Sequence, residues 1–209
     1  MAAIALTLYI AFGVLALGGR LWMQWSRTGS TGYRGISRSL GILGLAGGIS
    51  FIVAMVGGLA APLLQLLRVV APLRILDHGW VNGVGLALAA CGLGATIYAQ
   101  LDMGESWRVG IDTTETTTLV RTGTFSLVRN PIFAAMVVFT LGETLLAPNP
   151  VAIAIFVIFV VAVEVSVRSA EEPYLLRIHG DDYRDYMAEV GRFAPGIGLT
   201  HRYKAVRTR

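Results

Sequence analysis

Long apolar runs alternate with short polar stretches along this chain. A membrane span needs about 20 mostly apolar residues to cross roughly 30 Å of hydrocarbon. Five runs come close to this requirement, and we predict that each forms a transmembrane helix: Ile4–Leu21, Leu40–Ala61, Trp80–Ala99, Ile132–Ala147 and Val151–Val167. The predicted fold class is therefore all-α, a polytopic integral membrane bundle of about five spans with a cytoplasmic C-terminal helical segment.

Prolines mark the limits of two of these runs. Pro148-Asn149-Pro150 separates the last two runs and predicts a tight turn, because proline neither continues a helix nor donates a backbone hydrogen bond. The stretch Pro62–Leu73 is apolar but contains Arg68 and is too short to span, so we predict a re-entrant or interfacial segment there.

Composition agrees with a membrane protein and excludes several other classes. Charged residues make up 14% of the chain, whereas a typical soluble domain carries about 25%. The single cysteine, Cys91, excludes an intramolecular disulfide framework, and no histidine has an acidic or cysteine partner at metal-ligand spacing. The net charge of +4 is too modest to indicate nucleic acid. We therefore expect the bilayer as partner, with no metal and no nucleic acid.

The basic residues predict the orientation of the chain. With the N-terminus outside, 15 of the 17 Lys and Arg residues lie in cytoplasmic segments, and only Arg68 and Arg74 lie outside. We predict a multi-pass cell-membrane protein with a cytoplasmic C-terminus. No basic stretch precedes the first apolar run, so a cleaved signal peptide is not expected. Residues 1–79 form a predicted N-terminal transmembrane region, and residues 80–209 form a predicted catalytic region.

Two glycine clusters lie within the predicted spans. Gly44–Gly48 and Gly79–Gly83 have the small-xxx-small spacing that lets membrane helices approach closely. We therefore predict helix packing at both clusters.

Charged residues collect where the fifth span leaves the membrane. Glu164, Arg168, Glu171 and Glu172 lie at i, i+4, i+7 and i+8, which places them on one face of a regular helix. Glu164 and Arg168 also have the spacing of an ordinary helical ion pair. Pro173 disfavours helix at Glu172, so we predict a kink there.

The sequence after this kink predicts two further short helices. Gly180 should end the first of them, and Asp181 or Asp182 should cap the second. A basic, aromatic, amphipathic tail of this kind is also typical of simple membrane adhesion.

The cytoplasmic stretch before the fourth span predicts a site for an anion. Asn130-Pro131 opens that span with proline in the first helical turn, where its missing N–H is harmless. The start of a helix offers free N–H groups and the positive end of the helix dipole. The residues alone thus predict a cytoplasm-facing pocket for a carboxylate or phosphate.

Two motifs resemble those of a known enzyme family. Leu119-Val120, Gly123, Phe125, Arg129-Asn130-Pro131 and Phe133 resemble the pattern L/V-V-x-x-G-x-Y-x-x-x-R-H-P-x-Y of the isoprenylcysteine carboxyl methyltransferase family. A second motif, further along the chain, resembles that family's C-terminal pattern and consists of Arg168, Glu171-Glu172, Gly180, Tyr183, Tyr186, Arg192 and Pro195. Membrane methyltransferases that act on phospholipid amines share much of both patterns.

The resemblance implies an enzyme that transfers methyl from S-adenosylmethionine to a membrane lipid or lipid-linked acceptor that enters sideways from the bilayer, with a carboxylate as the leading acceptor group. It assigns catalytic roles to Arg168 and Glu172, and substrate contacts to Arg168 and Glu164. The residues that it places against the cofactor are Thr117, Thr118, Leu119, Val120, Phe125, Asn130, Pro131, Ile132, Phe133 and Glu172.

Three departures from the family pattern concern details of the site. Asn130 stands where the family usually has histidine, which removes a histidine base but keeps a group that forms hydrogen bonds. Phe125 and Phe133 replace tyrosines, and Pro173 directly follows the glutamate pair. The alternatives are a phospholipid amine methyltransferase, a sterol- or isoprenoid-type reductase with a nicotinamide cofactor, and a non-enzymatic membrane scaffold or transporter subunit.

Overall fold

The computed structural model describes residues 1–35, 41–110 and 118–200 of the chain. These residues are mostly helical, which confirms the predicted fold class. The α-helices are α1 (Ala2–Phe12), α2 (Arg20–Thr28), α3 (Gly41–Leu66), α4 (Gly79–Met103), α5 (Pro131–Leu146), α6 (Pro150–Ser166), α7 (Glu172–His179) and α8 (Asp181–Glu189). Two π-helical segments (Gly13–Gly19 and Val167–Glu171), two 3-10 turns (Gly104–Ser106 and Gly123–Ser126) and two short paired strands, β1 (Tyr33–Gly35) and β2 (Val109–Gly110), complete the description.

Among the described residues, four continuous helical stretches are long and apolar enough to cross a membrane. They are Ala2–Thr28, Ile42–Leu66, Gly79–Ser106 and Pro150–His179, and the shorter apolar helix α5 lies among them. The five predicted spans each correspond to one of these helices. Many large apolar side chains remain exposed on the outer surface, among them Ile42, Val56 and Val161. In a bilayer these side chains meet lipid, so their exposure carries no hydrophobic cost.

The helices pack mainly in two pairs, α4 along α5 and α3 along α6, with α1 against α3. Glycine permits the closest of these contacts. A Cβ atom at Gly92 of α4 would lie 2.4 Å from the backbone nitrogen of Phe139, and one at Gly142 of α5 would lie 2.3 Å from that of Ala89. Small residues at both positions therefore let the two backbones approach.

The two predicted glycine clusters behave differently from each other. Gly47 lies against Ser166 of α6, since a Cβ there would be 2.6 Å from the serine Oγ. Gly79 and Gly83 have nothing within 4 Å of the corresponding position, so the predicted packing at that cluster is wrong. Spacing alone does not tell which face of α4 meets a neighbour, and the facing glycines turn out to be Gly85 and Gly92.

The segment from residue 62 is not separate from the second span, contrary to the prediction. Helix α3 continues through Pro62 to Leu66. Membrane helices tolerate such a proline where neighbouring groups satisfy the freed backbone atoms. The carbonyl that Pro62 frees is that of Gly58, four residues earlier. Asn149 holds the helix beside the proline, because its Nδ2 donates to the carbonyl oxygen of Ala61 at 3.2 Å and to Oε1 of Gln65 at 2.8 Å.

The turn between α5 and α6 is confirmed. Asn149 is the N-cap of α6, and its Oδ1 accepts a hydrogen bond from the backbone nitrogen of Ala152 at 2.9 Å. Pro150 is the first residue of α6, where its missing N–H has no partner to lose.

Glu172 is helical, so Pro173 does not interrupt the helix there, contrary to the prediction. The chain stays helical from α6 through the π-helical segment Val167–Glu171 into α7, and Glu172 has helical dihedral angles. Pro173 lies in the first turn of α7, and the wider π turn just before it accommodates the proline. The extra residue in the π turn rotates α7 relative to α6, so Arg168 is exposed whereas Glu172 is buried. The four charged residues therefore do not share one face.

Helix α7 ends at Gly180, as predicted, with a positive φ of 53°. Asp181 and Asp182 lie in the first turn of α8, but neither side chain caps the helix. The N-cap residue is Gly180 itself, so the predicted aspartate cap is wrong.

Candidate functional site

The two motif-bearing segments meet at one end of the bundle. The backbone nitrogens of Arg129 and Asn130 donate to the carbonyl oxygens of Gly191 and Arg192, at 2.8 and 3.0 Å. The side-chain Nδ2 of Asn130 donates to the same Arg192 oxygen at 3.2 Å. Asn130, which stands in place of the family histidine, thus holds the C-terminal loop against the start of α5.

Glu172 lies at the centre of this contact between two arginines. Its Oε1 accepts from Nη2 of Arg129 at 2.9 Å and from Nε of Arg192 at 2.7 Å, and its Oε2 accepts from Nη2 of Arg192 at 2.9 Å. All three side chains are buried. We call Arg129, Glu172 and Arg192 the buried charge cluster. The hydrogen bonds that Arg192 donates to Glu172 raise the pKa of Arg192 above its ordinary value.

Arg129 links the cluster to the rest of the C-terminal region. Its guanidinium donates to the carbonyl oxygens of Met187, Val190 and Gly198 as well as to Glu172. Sequence reasoning included Arg129 and Arg192 in the motifs but did not predict them as site residues. Their position in both motifs was a signal, but the sequence did not indicate that they share one carboxylate.

A group of buried, mostly aromatic side chains lies beside the buried charge cluster. Tyr183, Tyr186 and Met187 of α8 form a buried group against which Leu119 packs. The hydroxyl of Tyr186 donates to the carbonyl oxygen of Phe125 at 2.5 Å. Burial raises the pKa of Tyr186 to about 12 and raises that of Tyr183 as well, so both hydroxyls stay protonated at neutral pH.

The other predicted cofactor residues occupy varied positions. Thr117 lies outside the described residues, Thr118 is exposed, and Val120 and Ile132 are half-buried. Pro131 is buried as the first residue of α5. The ring of Phe133 contacts that of Phe51 in α3, with centroids 6.3 Å apart, so this side chain packs into the bundle.

Arg168 and Glu164 form the ion pair that their spacing predicts. Nε of Arg168 lies 2.5 Å from Oε2 of Glu164, and the side chains are 59% and 40% exposed. Among the hydrogen bonds and ion pairs of the described residues, none joins this pair to the buried charge cluster.

Two loop contacts that the sequence did not suggest support the site. Oδ2 of Asp102, near the end of α4, accepts from the backbone nitrogen of Thr124 at 2.7 Å. Gly123 has a φ of 59°, and a Cβ there would lie 2.4 Å from the same carboxylate oxygen, which explains the motif glycine. Arg108 donates to the hydroxyl of Tyr174 in α7 at 3.2 Å. The loop after α4 is thereby tied to the helix that carries Glu172.

Two buried polar atoms at the site are unpaired. Nε of Arg129 and Oγ1 of Thr124 have no hydrogen-bond partner within the described part of the chain. The cluster also contains two guanidinium groups and one carboxylate, so it carries surplus positive charge. No group of three or more His, Cys, Asp or Glu residues suited to a metal ion occurs in residues 1–35, 41–110 and 118–200.

Comparisons with known proteins agree with the motifs. Residues 80–182 match the phospholipid methyltransferase family. The fold is similar to that of the eukaryotic intramembrane Ras methyltransferase ICMT (isoprenylcysteine carboxyl methyltransferase), solved without a monobody, with a TM-score of 0.57. The identity is 17%, and the similarity covers 92% of this chain and 67% of that one. No curated protein matches the sequence.

These observations define the fold of the protein. The chain has the polytopic helical fold of an intramembrane methyltransferase, as its two motifs predicted. The match to the phospholipid methyltransferase family includes the first motif and extends beyond Glu172.

Proposed function

We propose that this protein transfers a methyl group from S-adenosylmethionine to a lipid-linked acceptor within the membrane. The observation that carries the proposal is the meeting of the two motif segments around the buried charge cluster. A methyl donor and a lipid acceptor need a common site at the edge of the membrane, and this cluster lies where α5 begins and the helix Pro150–His179 ends.

The residues present fit the cofactor. When bound, S-adenosylmethionine supplies a methyl group that its sulfonium already activates. The surplus positive charge of the cluster and the unpaired Nε of Arg129 suit the cofactor's carboxylate. Leu119, Phe125 and Tyr186 are the apolar and aromatic residues beside the cluster against which its adenine and sulfonium would pack, although Phe125 and Tyr186 are buried in this structure.

We propose a carboxylate as the acceptor group. A carboxylate is already a nucleophile, so the protein needs to align it and exclude water rather than remove a proton. Arg168 would align the acceptor with its planar guanidinium. Glu164 forms an exposed ion pair with Arg168. The acceptor carboxylate would replace Glu164 as the partner of the Arg168 guanidinium.

A phospholipid amine is the second candidate acceptor, and the match to the phospholipid methyltransferase family favours it. An amine must lose a proton during transfer, which requires a proton acceptor. Glu172 accepts three hydrogen bonds from two arginines, and their positive charge stabilises the carboxylate form, so Glu172 is a poor proton acceptor. The half-buried Glu171 beside it is the better candidate for that role.

Binding measurements on the detergent-purified protein test the cofactor. We expect labelled S-adenosylmethionine to be retained and NADPH not to be. Asn130→Ala and Glu172→Ala should each weaken S-adenosylmethionine binding at least tenfold, or about 1.4 kcal/mol. Arg184→Gln, a change at an exposed ion pair of α8, is the matched control. Retention of NADPH would instead support a reductase, and retention of neither would support a scaffold.

The product of methyl transfer separates the two acceptors. Proteoliposomes supplied with labelled S-adenosylmethionine should yield a base-labile methyl ester when a long-chain isoprenoid or fatty acid is present. A base-stable N-methyl lipid formed from phosphatidylethanolamine would overturn the carboxylate proposal and support the amine.

A further inference from the structure

A second charged site lies away from the buried charge cluster, where the first span ends. Arg20 is the first residue of α2, directly after the π-helical segment Gly13–Gly19. Segments of π-helix are often found at functional sites, because the irregular turn redirects side chains. Nη2 of Arg20 donates to the carbonyl oxygen of Gly104, in the loop that follows α4.

The guanidinium of Arg20 is buried but only partly satisfied. The residue is 4% exposed, and one face of its guanidinium lies over the indole of Trp107, 4.8 Å from the ring centroid. Nε and Nη1 have no hydrogen-bond partner within the described residues. A buried cation with two of its three nitrogens unpaired is costly, so an anion at this position would stabilise it.

Gln24 lies one turn further along the same helix and is equally buried. Its Nε2 donates to the carbonyl oxygen of Glu105 at 2.8 Å, and its Oε1 is buried without a partner among the described residues. The pair therefore offers two guanidinium donors and one amide acceptor. This combination suits an oxyanion that also carries a hydroxyl, such as a protonated phosphate or a phosphate with a neighbouring glycerol hydroxyl.

The nearby described acidic residues do not neutralise Arg20. The side chain of Glu105 is exposed, and its contact with this site is made by the backbone oxygen. The Asp102 carboxylate accepts from the backbone of Thr124 instead. Arg27, two turns along the helix, is exposed and is itself basic, so it provides no counter-charge either.

The level of Arg20 in the bundle points to a lipid as the source of the anion. Trp22 and Trp25 on the same helix are 67% and 56% exposed, and exposed tryptophans typically lie at the headgroup level of a membrane. The loop that contacts Arg20 also carries Arg108, which reaches Tyr174 of α7. Arg20 is therefore at the same end of the bundle as the buried charge cluster.

We propose that Arg20 and Gln24 bind the phosphate of an anionic membrane lipid. The loops of residues 29–35 and 104–110 cover these side chains. Gly32 lies against Gln24 and Trp107, and the two loops are joined by the short parallel pairing of β1 with β2. The headgroup enters when these loops part. The site goes beyond the proposed methyl transfer, and its test measures binding alone, so the two proposals can fail separately.

Thermal unfolding of the full-length protein in neutral detergent tests the site. The probes are dihexanoyl phosphatidic acid, dihexanoylglycerol, which has the same chains without the phosphate, and inorganic phosphate. We expect phosphatidic acid to raise the unfolding midpoint in a saturable way and dihexanoylglycerol to leave it unchanged. An equal response to inorganic phosphate at the same concentrations would overturn the assignment to a lipid.

Two variants and one control identify the residues. Arg20→Gln should weaken phosphatidic acid binding at least tenfold. Arg27→Gln removes the same charge from an exposed position of α2 and should keep the affinity within twofold.

Gln24→Glu carries the test even if Arg20→Gln does not fold. The new carboxylate would pair with Arg20, so the unliganded protein should unfold at a higher temperature and lose its response to phosphatidic acid. The proposal is overturned if Gln24→Glu keeps the wild-type response, or if Arg27→Gln loses as much affinity as Arg20→Gln.

Discussion

At the scale of single residues, the candidate site depends on one carboxylate that holds two arginines. Arg129 begins the segment that leads into α5, Arg192 lies beyond α8, and Glu172 of α7 accepts hydrogen bonds from both. Removing one partner from a buried ion pair is strongly destabilising, because the remaining charge is left uncompensated. Glu172 is therefore expected to be needed for folding as well as for any chemistry at the site.

Replacing Glu172 by glutamine tests this structural role. Glu172→Gln keeps the shape of the side chain but leaves two buried guanidinium groups without a counter-charge. We expect the free energy of unfolding to fall by about 3–5 kcal/mol. Glu164→Gln breaks the exposed pair with Arg168 and should cost about 0–1 kcal/mol. Denaturant unfolding of both variants in detergent makes the comparison, and equal losses would contradict the structural role of Glu172.

Arg168 has two candidate roles that a lysine substitution distinguishes. As an exposed partner of Glu164, it should tolerate Arg168→Lys, because lysine still pairs with glutamate. As the residue that aligns an acceptor carboxylate, it needs the planar guanidinium that lysine lacks. We expect turnover to fall ~100-fold, with unchanged cofactor affinity and unfolding temperature. Near-normal turnover would limit Arg168 to the ion pair.

At the scale of elements, single-residue features decide how the helices meet. The π-helical segment Val167–Glu171 turns Glu172 toward Arg129 and Arg192, whereas a regular helix would have kept it on the face of Arg168. Glycines determine how closely α4 and α5 approach. The first effect comes from one extra residue in a helical turn, and the second comes from the missing side chain of glycine. The average hydrophobicity of a span is not sensitive to either change.

Two glycines of α4 provide a matched test of the packing between α4 and α5. A Cβ at Gly92 would lie 2.4 Å from the backbone of Phe139, whereas Gly94 has nothing within 4 Å. We expect Gly92→Ala to lower the free energy of unfolding by about 1–3 kcal/mol through overpacking. Gly94→Ala should be neutral or stabilise by up to about 1 kcal/mol, since alanine favours helix. Thermal unfolding compares them, and equal effects would argue against the close contact.

At the scale of the whole molecule, the distribution of basic residues predicts one orientation in the membrane. Of the 17 Lys and Arg residues, the predicted topology assigns 15 to one side of the membrane, the side on which we also expect the candidate site. That side should face the cytoplasm, which would give the site access to a soluble cofactor.

Reporter fusions test this orientation. A C-terminal reporter that works only in the cytoplasm should be active, and an N-terminal tag should react only with reagents added outside the cell. Both termini inside the cell would mean that the number of spans is even and that one of the five helices does not cross. A reporter fused in the turn between α5 and α6 provides the opposite-side control.

The sequence by itself determined the membrane class, the approximate positions of the spans, the turn at Asn149 and the resemblance to membrane methyltransferases. These properties follow from local composition: some 20 apolar residues favour lipid over water whatever their neighbours are. The two prolines that flank Asn149 each lack an N–H and so favour a turn there, although a single proline, Pro62, is accommodated within α3. The motifs likewise carry their information in spacing along the chain.

Only the tertiary structure decided which side chains meet. Arg129 and Glu172 are 43 positions apart, and Gln24 and Glu105 are 81 apart, so no local pattern connects them. The register of α7 depends on one extra residue in a π turn, and that turn shifts Glu172 from an exposed face to a buried one. Distant segments pack together to form the buried charge cluster and to bury the nitrogens of Arg20 that are unpaired within the described chain. The hydrophobic pattern along the sequence does not specify which distant segments pack against each other.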